Sequence, residues 1–330
     1  MNTSLSKPES KQSASIALKR IYDAISIKSI LLPLLGSLLF LVFWHVGAAK
    51  INTSLGVFPG PNVVYQQWQS LVDDHVRERD KEIAFYERQE KRNAKKLAKN
   101  PDYVVKTRPY TGKPTFFDQI GTSLYTVVAG FALASLIAIP LGILIGLNSS
   151  IYSALNPIIQ IFKPVSPLAW LPLVTMVVSA TYVSADPMFS KSFLTSMFTV
   201  TLCCMWPTLI NTAVGVAAIE KDLLNVSKVL RLNWLTHVRK IVVPSSIPMM
   251  FTGLRLSLGI AWMVLIAAEM LAQNPGLGKF VWDEFQNGSS NSLGRIMVAV
   301  LMIGFIGFVL DRAMLSLQKI VSWDKSQVLR

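Results

Sequence analysis

Catalysis needs ionisable or nucleophilic groups that converge, and the long apolar stretches of this chain supply very few. Within them only Arg255 and Glu269 carry charge, with Arg295 at the edge of a later stretch. The histidines His45, His75 and His237 are scattered, and Cys203 and Cys204 sit side by side in an apolar block. That pattern gives neither a disulfide framework nor a Cys/His/carboxylate set at metal-ligand spacing. No G-x-S-x-G elbow occurs. The phosphate-cradling pattern G-x-x-x-x-G-K-[ST] is absent too, since Gly112-Lys113 and Gly278-Lys279 lack the following hydroxyl and the preceding glycine. The sequence therefore predicts no catalytic residue, no metal site and no bound cofactor. Any work the protein does must be powered from elsewhere.

The elements that would carry those few charges are membrane spans. The chain has 330 residues, 52% hydrophobic and 15% charged, against about 25% charged in soluble domains. The apolar residues run in blocks at 30–49, 124–147, 167–183, 193–219, 251–272 and 296–310. Spanning hydrocarbon takes about 20 apolar residues, roughly 17–25. The first five blocks reach that range and the sixth needs a flanking turn. The expected fold is all-α, a polytopic membrane protein with six transmembrane helices. No cleavable signal is evident, so the first block reads as an uncleaved anchor.

Lys and Arg collect in cytoplasmic loops. Three segments have that bias: 1–29, the loop at 220–246, and the tail 311–330. Six spans put all three on one side, so both termini are expected inside. The connection 50–123 then lies outside, although it carries 13 Lys/Arg and 9 Asp/Glu. The orientation rule weakens beyond about 60 residues of loop. Its middle, 76–98, has mixed charges at helical spacing and reads as a solvated helix, alternatively as a docking surface for an external partner. The resulting division is a cytoplasmic lead at 1–29, a transmembrane domain at 30–322 with a charged insertion at about 76–114, and a cytoplasmic tail at 323–330.

Charged groups in a membrane are costly and functional by default. Arg255 opens the fifth span and could snorkel, line an anion path or pair with a carboxylate. Glu269 lies 14 residues on, about 21 Å along the helix, so the two cannot pair within it. Glu269 is expected to hold the loop Gln273–Phe280 through backbone N–H groups, alternatively to contact the solute directly as a pathway charge. Gly130/Ala134, Gly142/Gly146 and Gly253/Ser257 form small-xxx-small pairs. Pro140, Pro164, Pro167 and Pro172 should bend or interrupt the second and third spans.

Residues 220–252 are the most informative segment. They read as two short amphipathic helices, with a left-handed turn placed at Asn233 and with Pro244 and Pro248 ending the second helix before the fifth span. The segment resembles the cytoplasmic loop of ABC-importer permeases, E-A-A-x3-G-x9-I-x-L-P. Ile241 and Pro244 match; Val243 stands for the leucine, Arg231 for the glycine, and Asn225, Val226 and Ser227 for Glu-Ala-Ala. Thr252–Leu271, Pro275–Phe285 and Phe162–Leu173 resemble the nitrate/sulfonate/taurine/bicarbonate group of these permeases, closest to the nitrate transporter permease.

The resemblance implies a MetI-like, six-helix permease in the bacterial inner membrane, working as a homodimer. It implies two cytoplasmic ATPase subunits that carry ATP-Mg, and an extracytoplasmic solute-binding protein; no nucleic acid is involved. Asn225, Val226, Ser227, Arg231, Leu232, Asn233, Trp234, Ile241 and Pro244 would form the ATPase-docking loop, with Trp234 and Leu232 in the ATPase cleft. Nitrate is the solute implied first; bicarbonate, cyanate or a sulfonate such as taurine, and a scaffold without transport, are the alternatives. Ser166, Thr175, Ser179, Thr199 and Thr201 are candidate hydroxyls for the anion.

Overall fold

The computed structural model describes residues 27–53, 56–183 and 188–321; the expected lead, most of which precedes residue 27, and the tail lie outside the described residues. The chain divides into two compact units, Met1–Gln66 and Gln67–Arg330. In the first, α1 (Ile27–Ala48) is 22 residues of almost unbroken apolar sequence. Leu31–Ala48 is long and apolar enough to cross a membrane, and its side chains are largely exposed, as a lipid-facing anchor requires. A two-residue antiparallel ladder follows, β1 (Asn52–Thr53) against β2 (Gly56–Val57). Trp44 Nε1 donates to the Pro59 carbonyl at 3.1 Å and fixes the exit from α1.

The long helix α2 (Pro61–Lys99) has 39 residues, about 58 Å at 1.5 Å per residue. The second unit packs the rest of α2 against the start of α3 (Phe116–Leu147) and the start of α11 (Ser292–Val321), with α10 (Leu277–Asn287) alongside α3 and α11. His75 Nδ1 and Thr115 Oγ1 lie 2.7 Å apart, and Arg79 Nη2 donates to Asp118 at 3.0 Å. Thr115 and Asp118 also form a reciprocal capping box that starts α3.

From Glu78 onward, side chains of α2 stitch the returning chain along its flank. Gln89 accepts from the Arg108 amide (2.9 Å), Asn93 donates to the Lys106 carbonyl (3.1 Å), and Tyr110 Oη donates to Glu78 (2.7 Å). The i,i+3 and i,i+4 pairs Glu78–Lys81 and Glu87–Lys91 form on its solvated surface.

The membrane-facing core is α3, α6 (Lys191–Ala217) and α9 (Val243–Ala272). Small residues let them touch. A Cβ added to Gly142 would stand 2.8 Å from the Leu209 carbonyl oxygen, one on Gly146 2.6 Å from that of Ala213, and one on Gly253 2.8 Å from that of Pro207. Ser257 Oγ accepts from Thr208 N (3.1 Å) and Thr208 Oγ1 (2.7 Å), locking α9 to α6.

Two expectations need correction. The third block, 167–183, does not make a full span. It folds as α5 (Pro167–Thr181), 15 residues or about 22 Å, after α4 (Ser149–Phe162), and the two are bent by 99°. Pro164 and Pro167 remove two amides, and Ser166 caps the new helix through Leu168 N at 3.3 Å. Together with the five long apolar helices, this bent pair gives up to six membrane segments among the described residues.

Pro244 and Pro248, in turn, do not end a helix. α8 (Trp234–His237) runs through a π-helical turn, Val238–Val242, straight into α9. The i→i+5 turn absorbs the ring of Pro244, with Val243 N bonding to the Val238 carbonyl.

The stitched return should respond to pH in a defined direction. The Tyr110 hydroxyl, then Lys81, holds the Glu78 carboxyl below its ordinary 4.5, and Glu78 holds the Tyr110 phenol above its ordinary 10.0. The depressed acid stabilises the pairing above its unfolded value and loses that contribution as pH falls through the folded one. The raised phenol contributes below its unfolded value and loses it as pH rises through the folded one. A spin label at Val104→Cys should therefore be immobile near pH 7 and mobilise at both extremes, with Tyr110→Phe mobile throughout. Equal mobility at all pH values would show that the pair does not hold the segment.

Candidate functional site

The chemistry-bearing residues occupy two ends of the bundle. At the α2 end, α9 closes with Gln273 left-handed (φ 56) and the chain turns into Asn274–Gly278. Glu269, fully buried, receives Ser123 Oγ on both carboxylate oxygens (2.9 and 2.8 Å) and Gly278 N on Oε2 (3.0 Å). Ser123 in turn accepts from Leu277 N at 2.9 Å, and Asn274 Nδ2 donates to Thr126 at 3.3 Å. The loop must lie flat on the carboxylate. A Cβ on Gly276 would sit 2.1 Å from Glu269 Oε1, and one on Gly278 2.1 Å from the Ile266 carbonyl.

Beside this network, Arg295 reaches Glu284 (3.3 Å) and Asp74 (2.9 Å), joining α11, α10 and α2. Glu269 and Arg295 thus hold this end of the bundle together. Both side chains are engaged by groups of the bundle itself.

At the opposite end lies the segment 220–244. α7 (Lys221–Val229) packs Leu224 on a cluster of Ile143, Val216, Ile219 and Val242. Ile143 is 27 residues from Phe116, about 40 Å along α3. The turn is a Schellman motif: Leu232 N bonds to Ser227 O (3.1 Å) and Arg231 N to Lys228 O (3.1 Å), with Arg231 left-handed at φ 46.

This corrects the turn expected at Asn233, which has φ −67 and caps α8 by accepting from Thr236 N at 2.8 Å. Arg231, at the glycine position of the family pattern, adopts the glycine's geometry. Ser227 is buried and lies 2.7 Å from His237 Nδ1, bridging the two helices rather than facing outward. Trp234 and Leu235 stand 60% and 68% exposed, and Leu232 is half-buried, so Leu235 and not Leu232 joins Trp234 at the tip. Asn225, Val226, Asn233 and Pro244 are exposed and Ile241 is half-buried.

Arg255 lies toward this same end and is a paired residue. Its Nε and Nη2 donate to Asp311 at 2.5 and 3.0 Å, a bidentate bridge from α9 to α11. Asp311, which sequence reasoning counted with the tail, was legible only as an acid beyond the sixth apolar block. Of the candidate hydroxyls, Ser166 caps α5, Thr175 bonds Leu171 O (2.8 Å), Thr199 bonds Thr195 O (2.8 Å), and Thr201 bonds Gly130 O (3.1 Å). Ser179 is exposed and makes no hydrogen bond through its side chain among the described residues.

The bundle thus has a hydrogen-bonded polar cap at one end and an exposed apolar and basic hairpin at the other. Residues 138–322, more than half of the chain, match the family of binding-protein-dependent transport system inner membrane components. The chain belongs to this permease family. A bicarbonate transport system permease protein of Synechococcus elongatus is 32% identical over 305 residues, 92% of this chain and 91% of the relative. A nitrate import permease protein of Leptolyngbya laminosa is 37% identical over 205 residues, 61% and 68% respectively. In structure the chain resembles the MetNI methionine ABC transporter solved in inward-facing conformations, with a TM-score of 0.52 at 13% identity, covering 63% of this chain and 96% of that one. This permease is therefore an all-α, multi-pass ABC-importer component and not itself an enzyme.

Two measurements test these assignments. Gly276→Ala should prevent the loop from seating, and Glu269→Gln should leave one buried donor short of a charged acceptor, costing about 1–3 kcal/mol; both should lower the yield of folded permease. Full yield and thermal stability in both would remove the structural role. For Arg255 and Asp311, each more than a third exposed, a double-mutant cycle of Arg255→Gln and Asp311→Asn should show a coupling of about 0.5–1 kcal/mol after screening. Zero coupling would mean that the bridge does not tie α9 to α11.

Proposed function

We propose that this permease imports a small inorganic oxyanion, nitrate first, as a homodimer with two cytoplasmic ATPase subunits and an extracytoplasmic solute-binding protein. The observation that carries the reading is the pairing of the α7–α8 hairpin with relatives named for nitrate and bicarbonate. The hairpin's exposed apolar tip is what a partner socket buries. Its rim, Lys221, Lys228, Arg231, Arg239 and Lys240, is what a cytoplasmic face carries. On this reading both termini are cytoplasmic, α2 is external, and ATP-Mg resides on the partners.

Bicarbonate is the second reading. The bicarbonate permease aligns over 92% of the chain, and the two anions share a planar trigonal shape. Charge neutralisation of Arg255 by Asp311 leaves no fixed cation at that position for the anion, so Arg255 is an architectural residue here.

Uptake of labelled nitrate, bicarbonate and taurine into vesicles holding the assembled transporter decides among these solutes. Uptake of none of them would overturn the transport reading. Trp234→Ala should weaken ATPase association by about 2–4 kcal/mol, as buried aromatic anchors do, while the permease still folds in membranes. Undiminished association would place the ATPase elsewhere.

A further inference from the structure

The α4–α5 break lies at an unusual depth. Tyr182, just past α5, accepts from Phe189 N, just before α6, at 3.0 Å, so the end of α5 lies beside the start of α6 and the two run antiparallel. The 15 residues of α5 cover about 22 Å. Measured back along α6 from Lys191, that distance ends at Trp206, about 17 Å short of the other end of α6. The ring contacts agree: Phe162, the last residue of α4, stacks on Trp206 with centroids 6.5 Å apart and on Trp170 at 5.7 Å. The break at 163–166 is therefore level with the interior of the span.

Three observations meet at that level. Phe162, Lys163, Pro164 and Ser166 are exposed on the single chain, and irregular backbone at membrane depth is tolerated only where protein covers it or where it lines a water-filled cavity. Lys163 places a cation there, at a cost that marks such residues as functional. The indole Nε1 atoms of Trp170 and Trp206 are both buried and have no hydrogen-bond acceptor among the described residues, and such buried donors are costly to leave unpaired. Behind them α5 begins, with the positive end of its helix dipole at the break.

Resting on the oxyanion-import reading above, we propose that Lys163 and the indole N–H groups of Trp170 and Trp206 form an oxyanion-binding station of the translocation pathway. Lys163 supplies charge and the two indoles supply neutral donors. The stacked Phe162 holds both rings at one place. A planar trigonal anion has three acceptor oxygens for these donors. Neutral donors suit a station that must release its cargo, because they hold the anion less tightly than paired guanidinium groups would.

The test uses the complete transporter labelled with 5-fluorotryptophan in zwitterionic nanodiscs, with 19F resonances assigned by Trp170→Phe and Trp206→Phe. Titration with nitrate, and separately with bicarbonate, should shift those two resonances saturably, and Lys163→Gln should weaken the response. In vesicles, Trp170→Phe, Trp206→Phe and Lys163→Gln should each raise the KM for uptake roughly 10- to 100-fold, the value of a hydrogen bond to a charged group, with ATPase association unchanged. Lys163→Arg should restore uptake. Titration that leaves both resonances still, or normal uptake in all three variants, overturns the station. A saturable shift in a transporter that imports no oxyanion would instead retain the station and sink the import reading.

Discussion

Lipid tails are as apolar as leucine, so burying hydrocarbon side chains gives membrane helices little reason to associate. Close backbone approach has to supply the attraction. The contact of α3 and α9 with α6 meets that requirement, and the rest of the structure hangs from it. Gly130, Gly142 and Gly146 on α3 and Gly253 on α9 put backbone against backbone, where a single methyl group would collide with a carbonyl oxygen. Thr201 then reaches the Gly130 carbonyl and Thr208 reaches Ser257. These are bonds that only helices already in contact can make.

That rigid trio gives the permease two ends with different chemistry. At the α2 end polar groups are consumed internally: Glu269 on Ser123 and Gly278, Arg295 on Glu284 and Asp74. At the other end the hairpin is seated by its apolar underside on Ile143, Val216, Ile219 and Val242 and turns Trp234 and Leu235 outward. The π-helical turn at Val238–Val242 makes α8 continuous with α9. A push on the hairpin is then a push on a 39-residue helix running from Trp234 to Ala272. Its far end carries Glu269 and the loop that packs on it. Mechanical continuity of that kind is what a component driven from outside requires.

The division between what was legible in the sequence and what was not follows from the range of the forces involved. Span existence, the all-α class, the permease family and the solvated helix within 50–123 are set by local composition and by motifs with fixed spacing, so the chain displays them directly. Glu269 was readable as a loop-holding carboxylate because an ionised group in an apolar run must find backbone donors nearby. Its partner Ser123 was not, because it lies 146 residues away and looks like any serine in a span.

The same limit explains the corrections. Asp311 pairs with Arg255 only because α9 and α11 lie side by side. The turn at Arg231 wins over Asn233 because the Schellman hydrogen bonds are fixed by where α7 ends, and that is set by its seat on the bundle. The two prolines of 244–248 looked like a stop, yet one extra residue in a π turn absorbs the first. The third block falls short of a full span because the chain bends by 99° between α4 and α5, and α5 packs on α6 as a separate piece. Hydropathy and motif spacing determined the membrane fold and the family; tertiary packing alone decided which charges are paired, where the helices break, and which side chains face outward, because those outcomes depend on neighbours that the linear chain keeps far apart.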